Sequence, residues 1–178
     1  RAKLVEVAAA AFAEHGVDTS LEEVARRAGV GIGTLYRHFP ERSSLVEAVY
    51  RREVEVVCQA ADEMLTGLPP DQALEAWMQR FVVYVSRKRG MASALKSMMG
   101  ADAGLFHDCR RDLNEAAGRL LSAAAASGAV RSDVSAPDLL RAMSGICLAN
   151  DSPDWSEHAR PIVGLLVDGL RFGAPAGS

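Results

Sequence analysis

Between residues 31 and 42 the chain gathers side chains suited to holding phosphate. Thr34 and Tyr36 offer hydroxyls, His38 a ring N–H and Arg37 a guanidinium. All of these can donate to phosphate oxygens, and an arginine can also take the O6 and N7 of guanine. At helical spacing Ile32, Thr34, Arg37 and His38 fall on an outer face with Tyr36 alongside, while Leu35 and Phe39, four apart, turn inward. From Arg37 to Arg52 there are four arginines against two glutamates, so the segment is locally positive. A short helix with this outer face suits a DNA major groove, which is about as wide as a helix with its side chains, on the order of 10–12 Å.

The elements that must position these groups can be read from caps and periodicity. A first helix is predicted from about Arg1 to His15, with Leu4, Ala8, Ala11 and Phe12 on one face. Gly16 can take the left-handed conformation that ends it. Ser20-Leu21-Glu22-Glu23 then forms a cap. The serine hydroxyl accepts from a first-turn N–H and a glutamate three residues on reaches back. Leu21, Val24, Ala25 and Ala28 make the buried face of a short second helix that ends at Gly29. A third helix runs from Gly31 or Ile32 to about His38 and stops before Pro40. Two short helices one tight turn apart have helix-turn-helix spacing. Periodicity by itself leaves two readings open, a DNA reader and a motif that is only scaffold.

Other candidate chemistry carries less. Gly29-Val30-Gly31-Ile32-Gly33 is glycine-rich, but its third glycine comes one place early for a dinucleotide loop and it follows a helix rather than a strand. His107-Asp108-Cys109 contains possible metal ligands, yet successive helical positions point in different directions and a zinc site needs partners from elsewhere. No metal or cofactor is expected. Arg87-Lys88-Arg89 reads as a solvated helix end that complements the helix dipole. There is no G-x-S-x-G and no H-E-x-x-H, so an enzyme is not expected.

With 178 residues, 49% apolar and 24% charged, the chain can bury a core in one or two domains. A formal charge of −3, from 20 basic and 23 acidic residues, is not that of a non-specific nucleic-acid binder, so any such role must be local. No run of 18 apolar residues is present to span a membrane. There is no charged-then-apolar leader ending at a small-residue cleavage site. The chain begins at Arg1 rather than a methionine, so its true N-terminus is expected upstream. Three widely spaced cysteines, Cys58, Cys109 and Cys147, predict free and mostly buried thiols in a reducing compartment, the cytoplasm.

Beyond Pro40 the chain reads as helix nearly throughout, with no convincing strand and no internal repeat. A long helix from about Arg42 to Leu65 keeps a stripe of Leu45, Val49, Val56 and Ala60. After Gly67-Leu68-Pro69-Pro70, Asp71 is the predicted N-cap of a helix to Arg89, with Leu74, Trp77, Met78, Phe81 and Tyr84 or Val85 inward. Shorter and longer helices follow at about Met91–Met99, Leu105–Ala126 and Ala136–Ala149, the last with Ser135 as cap and Pro137 in its first turn. A final helix covers about Trp155–Phe172. Pro161, inside it, removes one backbone donor and should start the helix late or kink it.

The run from Thr19 to Pro40, with Ala28-Gly29-Val30, then Gly33-Thr34-Leu35-Tyr36, then His38-Phe39, resembles the TetR family of bacterial transcriptional regulators. The matched part covers about residues 1–50, and Leu165 to Arg171 looks like a common closing helix of the family. The resemblance implies an all-α chain. Residues 1–50 would form a three-helix DNA-binding domain, and residues 51–178 a helical bundle for ligand binding and dimerisation. Thr34, Tyr36 and His38 would anchor phosphates or sugar, with the tyrosine also able to touch bases. Arg42 stands where many members have a backbone-contacting lysine, and Ser20 would meet phosphate too. The chain departs from the pattern at Gly31 and Ile32, where serine and a polar residue are common, with Gly33 following. An isoleucine there can meet only an apolar group such as a thymine methyl. Arg37 is then the best base-reading candidate, with a phosphate clamp as its other reading.

The resemblance also implies a pocket around the soft interior of Trp77, Phe81, Tyr84, Met98, Met99 and Phe106, although ordinary core packing explains the same residues. It implies a homodimer through the last two helices. Ile146, Leu148, Ile162, Val163, Leu166 and Leu170 would supply apolar area there, and Gly145, Gly164 and Gly169 close approach. The expected partners are a near-palindromic operator duplex, a small effector and a second copy. The expected function is a ligand-released repressor. The alternatives are an activator or effector-independent regulator, and a helical small-molecule binder that touches no DNA.

Overall fold

A computed structural model describes residues 1–98, 103–148 and 155–172, and over these the chain is all-α. The helices are α1 (Ala2–His15), α2 (Leu21–Ala28), α3 (Ile32–His38), α4 (Arg42–Gly67), α5 (Pro70–Arg89), α6 (Ala92–Met98), α7 (Ala103–Ala126), α8 (Ala136–Leu148) and α9 (Trp155–Phe172). None of them is long and apolar enough to cross a membrane. Two compact units emerge, residues 1–55 with 86–109, and residues 56–85 with 110–178.

The first unit is built from the short amphipathic helices the caps predict. Leu4, Ala8 and Phe12 of α1, the whole apolar face of α2, Leu35, Phe39, and Leu45 and Val49 of α4 are buried. Burial of each large apolar side chain contributes about 1.5–3 kcal/mol before conformational entropy is subtracted. Met91, Leu95 and Leu105 are buried as well.

Gly16 ends α1 as predicted, but at φ 79°, ψ 171°, rather than in the left-handed helical region. That basin is open essentially to glycine alone. It turns the chain so that the Val17 N–H donates to the Gly90 carbonyl at 3.0 Å. Gly90, expected only to close α5, is there for contact. A Cβ on it would lie 2.7 Å from the Phe12 carbonyl oxygen. Glu53, a buried carboxylate, is met by the Arg87 guanidinium at 3.1 Å. Arg87, exposed in the basic last turn of α5 as expected, is therefore also a structural partner.

The second unit packs the inner face of α5, with Leu74, Trp77, Met78, Phe81 and Tyr84 all buried together with Val85. Trp77 donates its indole N–H to the Val57 carbonyl at 2.8 Å, so a large apolar body is buried without stranding its donor. α7 presents Ala116, Ala117, Leu120 and Ala124 to this core, and α8 packs against α9. Arg171 of α9 holds both Asp71 and Glu75 at 3.0 Å.

Three sequence expectations are corrected in detail. Along α4, Val57 is buried and Val56 only half-buried, and Val46, Tyr50, Val54 and Ala61 are buried too, so the apolar surface is wider than one stripe. α5 begins at Pro70, with Asp71 in its first turn rather than at the cap. The reason is that proline, lacking an N–H, suits the first helical position. α9 spans the expected Trp155–Phe172 and runs through Pro161, so of the two expected effects the late start does not occur. Ser135 does cap α8, accepting from the Asp138 N–H at 3.3 Å. Cys109 and Cys147 are buried and Cys58 is half-buried. Gly100, Ala149 and Met99 lie outside the described residues.

Candidate nucleic-acid interface

α2 and α3 are joined by Gly29, Val30 and Gly31. Ser20 caps α2, its hydroxyl oxygen accepting from the Glu23 N–H at 3.1 Å. Gly29 adopts the left-handed conformation, φ 71° and ψ 34°, and its N–H returns to the last turn of α2. Without a Cβ that turn costs little strain. Gly31 is extended and caps α3, and the Thr34 N–H donates to its carbonyl at 2.9 Å.

α3 is pinned by Leu35 and Phe39, at 0% and 1% exposure. This anchorage determines what the other face offers. Tyr36 is 45% exposed, Arg37 and His38 are exposed, and Ile32 and Thr34 are half-buried. Among the described residues the side-chain donors of Thr34, Tyr36, Arg37 and His38 have no hydrogen-bond or ion-pair partner. An exposed tyrosine beside an arginine and a histidine, none of them engaged, is a set of donors aimed at solvent. Gly31 and Gly33 are exposed between them, and a Cβ on either would meet nothing within 4 Å. The helix backbone itself is thus part of the presented surface.

The neighbouring charges are arranged differently. Glu23 receives hydrogen bonds from both Arg26 and Arg27, at 2.7 to 2.8 Å, and these hold its carboxyl down at about 2. Arg27 also reaches Glu14 at 2.7 Å. Both arginines are engaged within the protein, whereas Arg37 is not. Ser20 is exposed, and a hydroxyl that accepts at a cap keeps its own O–H for another acceptor.

Arg42 has a role the sequence did not signal. Its Nη1 donates to the carbonyls of Val17 at 2.6 Å and Thr19 at 2.7 Å. It is half-buried and ties the start of α4 to the turn between α1 and α2. Gly90, Glu53 and Arg87 are likewise support that residue type and spacing alone did not reveal.

The residues expected at a pocket are distributed between the units. Trp77, Phe81 and Tyr84 form a row along α5, with ring centroids 5.7 and 5.4 Å apart. Met98 is half-buried in the first unit, where Phe106 stacks on Tyr50 at 5.6 Å. Met99 lies outside the described residues. Of the residues expected at a dimer face, Val163 and Leu170 are buried, Leu166 and Ile146 are half-buried, and Ile162 is 46% exposed. The Leu148 side chain lies outside the described residues. Leu165, at 72%, and Phe172, at 88%, are the most exposed large apolar side chains of α9. Among the described residues no three or more His, Cys, Asp or Glu side chains gather as a metal would require.

Comparison with known proteins places this geometry. Residues 4–49 match the family model for bacterial regulatory proteins of the tetR family, and residues 69–172 match the C-terminal domain of SbtR-like transcriptional regulators. The chain is 41% identical to a TetR transcriptional regulator of Streptomyces coelicolor of known structure, over 99% of each chain, with a TM-score of 0.86. A TetR transcription regulatory protein from Mycobacterium vanbaalenii is 32% identical over 96% of this chain and 94% of its own, with a TM-score of 0.76. An HTH-type transcriptional regulator of Staphylococcus aureus is 39% identical over 57 residues, 32% of this chain, and the match spans about a third of that relative, 31% of its length.

Proposed function

Because the chain belongs to the TetR family of bacterial transcriptional regulators, we propose that it is a homodimeric repressor that a small effector releases from a near-palindromic operator. Residues 1–50 read the DNA, and residues 51–178 carry the effector site and the dimer contact. α3 enters the major groove. Thr34, Tyr36, His38 and Ser20 hold phosphates, while Arg37 and Ile32 face bases. Arg42 adds a backbone contact through the part of its guanidinium that the Val17 and Thr19 carbonyls do not use. The observation that carries this reading is the outward, unengaged set of Tyr36, Arg37 and His38 on a helix locked by Leu35 and Phe39.

One such helix covers too few base pairs for specificity, so two heads about 34–36 Å apart, one turn of DNA, are needed. A two-fold dimer supplies them. Ile162, Leu165 and Phe172, uncovered on α9, together with Ile146, give the apolar area for that contact. Gly145, Gly164 and Gly169 let a second helix come close, since a Cβ added at any of them would meet nothing within 4 Å. The effector acts by population shift. It favours a spacing of heads that misses successive grooves, and affinity falls by the coupling free energy, typically about 1–3 kcal/mol.

The test is selection of a binding sequence from random duplexes, followed by titration of variants at fixed salt. Tyr36→Phe removes one hydroxyl contact and His38→Ala one ring donor. Each should weaken binding by about 3–10-fold per head, the worth of one hydrogen bond, with the thermal midpoint unchanged. Absence of any salt-sensitive, sequence-preferring complex, or parental affinity in both variants, refutes the assignment.

A further inference from the structure

Eight lysine and arginine side chains lie between residues 1 and 55. Most of them are committed within the protein. Arg26 and Arg27 hold Glu23, Arg51 holds Glu47 and Arg52 holds Glu55, at 2.6 to 2.9 Å. Arg42 serves the Val17 and Thr19 carbonyls. The side chains of Arg1, Lys3 and Arg37 are left with no hydrogen-bond or ion-pair partner among the described residues. Glu6, one turn along α1 from Lys3, pairs with neither Lys3 nor Arg1.

These three cations are not scattered. Arg37 is on the outer face of α3. The Lys3 ammonium lies 3.8 Å from where a Cβ on Gly29 would stand, beside the left-handed glycine that opens the α2–α3 turn. The Arg1 guanidinium lies over the ring of Phe39, 5.5 Å from its centroid, and Phe39 closes α3. The His38 ring is 6.4 Å from that same phenyl ring, so the Arg1 guanidinium and the imidazole stand within about 12 Å of each other. The first turn of α1 therefore borders both ends of the segment that carries Tyr36, Arg37 and His38.

The sequence accounts for this placement. Arg1 is in register with Leu4, Val5, Ala8 and Phe12, so its stem continues the buried stripe of α1 toward Phe39 while its charge stays in solvent. Lys3 falls off that stripe and is exposed.

We propose that Arg1 and Lys3 hold the phosphate backbone of the operator beside the stretch that α3 reads, which makes the first turn of α1 part of the DNA interface. The proposal rests on the reading of α3 as the helix in the major groove. A paired arginine must give up its carboxylate to take a phosphate, whereas Arg1 and Lys3 give up only water. The guanidinium offers a fork to two phosphate oxygens and the ammonium a point charge. Such contacts carry no sequence information. They fix the register of the head on the duplex and raise its affinity.

The test uses the full chain, the duplex selected for it and a scrambled duplex, with affinity measured by fluorescence anisotropy over a series of salt concentrations. Each phosphate neutralised contributes about 0.9 to the slope of log affinity against log salt, so a variant that loses one contact in each of two heads should flatten that slope by about 1.8. Lys3→Gln and Arg1→Gln should each do so. Each should weaken both duplexes by the same factor and leave the thermal midpoint in place. Lys3→Arg should keep the parental slope. Arg80→Gln removes another exposed, unpaired charge, from the second unit, and should leave the slope as it is. An unchanged slope in both α1 variants, or an equal flattening in Arg80→Gln, overturns the proposal while leaving α3 as the reader. A loss confined to the selected duplex, with a lowered midpoint, also overturns it, because a brace that merely held the turn would give that result. A parent chain with no salt-sensitive, sequence-preferring complex removes the reading of α3 and this proposal together.

Discussion

Replacing Gly33 by alanine separates what α3 needs for folding from what it needs for DNA. Gly33 is the second residue of a seven-residue helix, and among the described residues the glycines with positive φ are Gly16, Gly29 and Gly128, not Gly33. A Cβ there would meet nothing within 4 Å. The fold therefore gains from the change. Glycine in a helix costs about 0.5–1 kcal/mol relative to alanine, with the lower end apt this near the helix start. For a chain of this size that is a rise of about 1–3 °C in thermal midpoint. On DNA the sign reverses. The added methyl stands about 1.5 Å out from the backbone, on the exposed face that Gly33 shares with Arg37 four residues on. Contacts of about 2.9 Å to phosphates then open past the range of a useful hydrogen bond. Loss of two such contacts, at about 0.5–1.5 kcal/mol each, weakens binding by about 10–100-fold. Scanning calorimetry and fluorescence anisotropy on the selected duplex at one salt concentration read the two quantities. A variant that is more stable and still binds like the parent would show that Gly33 does not face the groove.

Substitutions behind α3 test the supports that hold it. Gly90→Ala should lower stability by about 1–3 kcal/mol in urea titration, because the new Cβ would sit 2.7 Å from a backbone oxygen that cannot swing aside. Arg42→Lys keeps the charge but cannot serve the Val17 and Thr19 carbonyls with one planar group. It should lower the thermal midpoint, whereas a residue acting only on DNA would leave that midpoint unmoved. Glu23→Gln should reduce stability at neutral pH. Since hydrogen bonds from Arg26 and Arg27 depress the folded carboxyl to about 2 from 4.5, that contribution is present above 4.5 and fades as the pH falls toward about 2, so parent and variant should converge in acid melts.

The first three helices were legible because their signals are local. Ser20 three residues before its N–H partner, a left-handed glycine at 29 and apolar residues at 21, 24, 25 and 28 all lie within about three helical turns. The long helices were legible in extent but less so in facing. α4 is buried at Leu45, Val46, Val49, Tyr50, Val54 and Val57, a band too broad for one stripe, so a choice between Val56 and Val57 could not be made from a 3.6-residue period. Pro161 illustrates the same limit. Its missing donor was visible, but whether the helix starts after it or continues through it depends on the surrounding packing.

The candidate site divides along the same line. Its outward side chains could be named because two inward ones, Leu35 and Phe39, fix the rotation of a short rod. What holds that rod's surroundings in place could not be named. Arg42 donates to carbonyls 23 and 25 residues away, and Val17 meets a carbonyl at Gly90. In each case the acceptor is a backbone oxygen, present at every residue and so without a signature of type or spacing. The glycine at 90 is the one trace such a contact leaves, since only the absence of a Cβ admits the Phe12 carbonyl. Gly31 and Gly33 carry no such trace, since a Cβ at either would meet nothing within 4 Å. Under the proposed function, what the two glycines leave open is the approach of DNA to the face that carries Tyr36, Arg37 and His38.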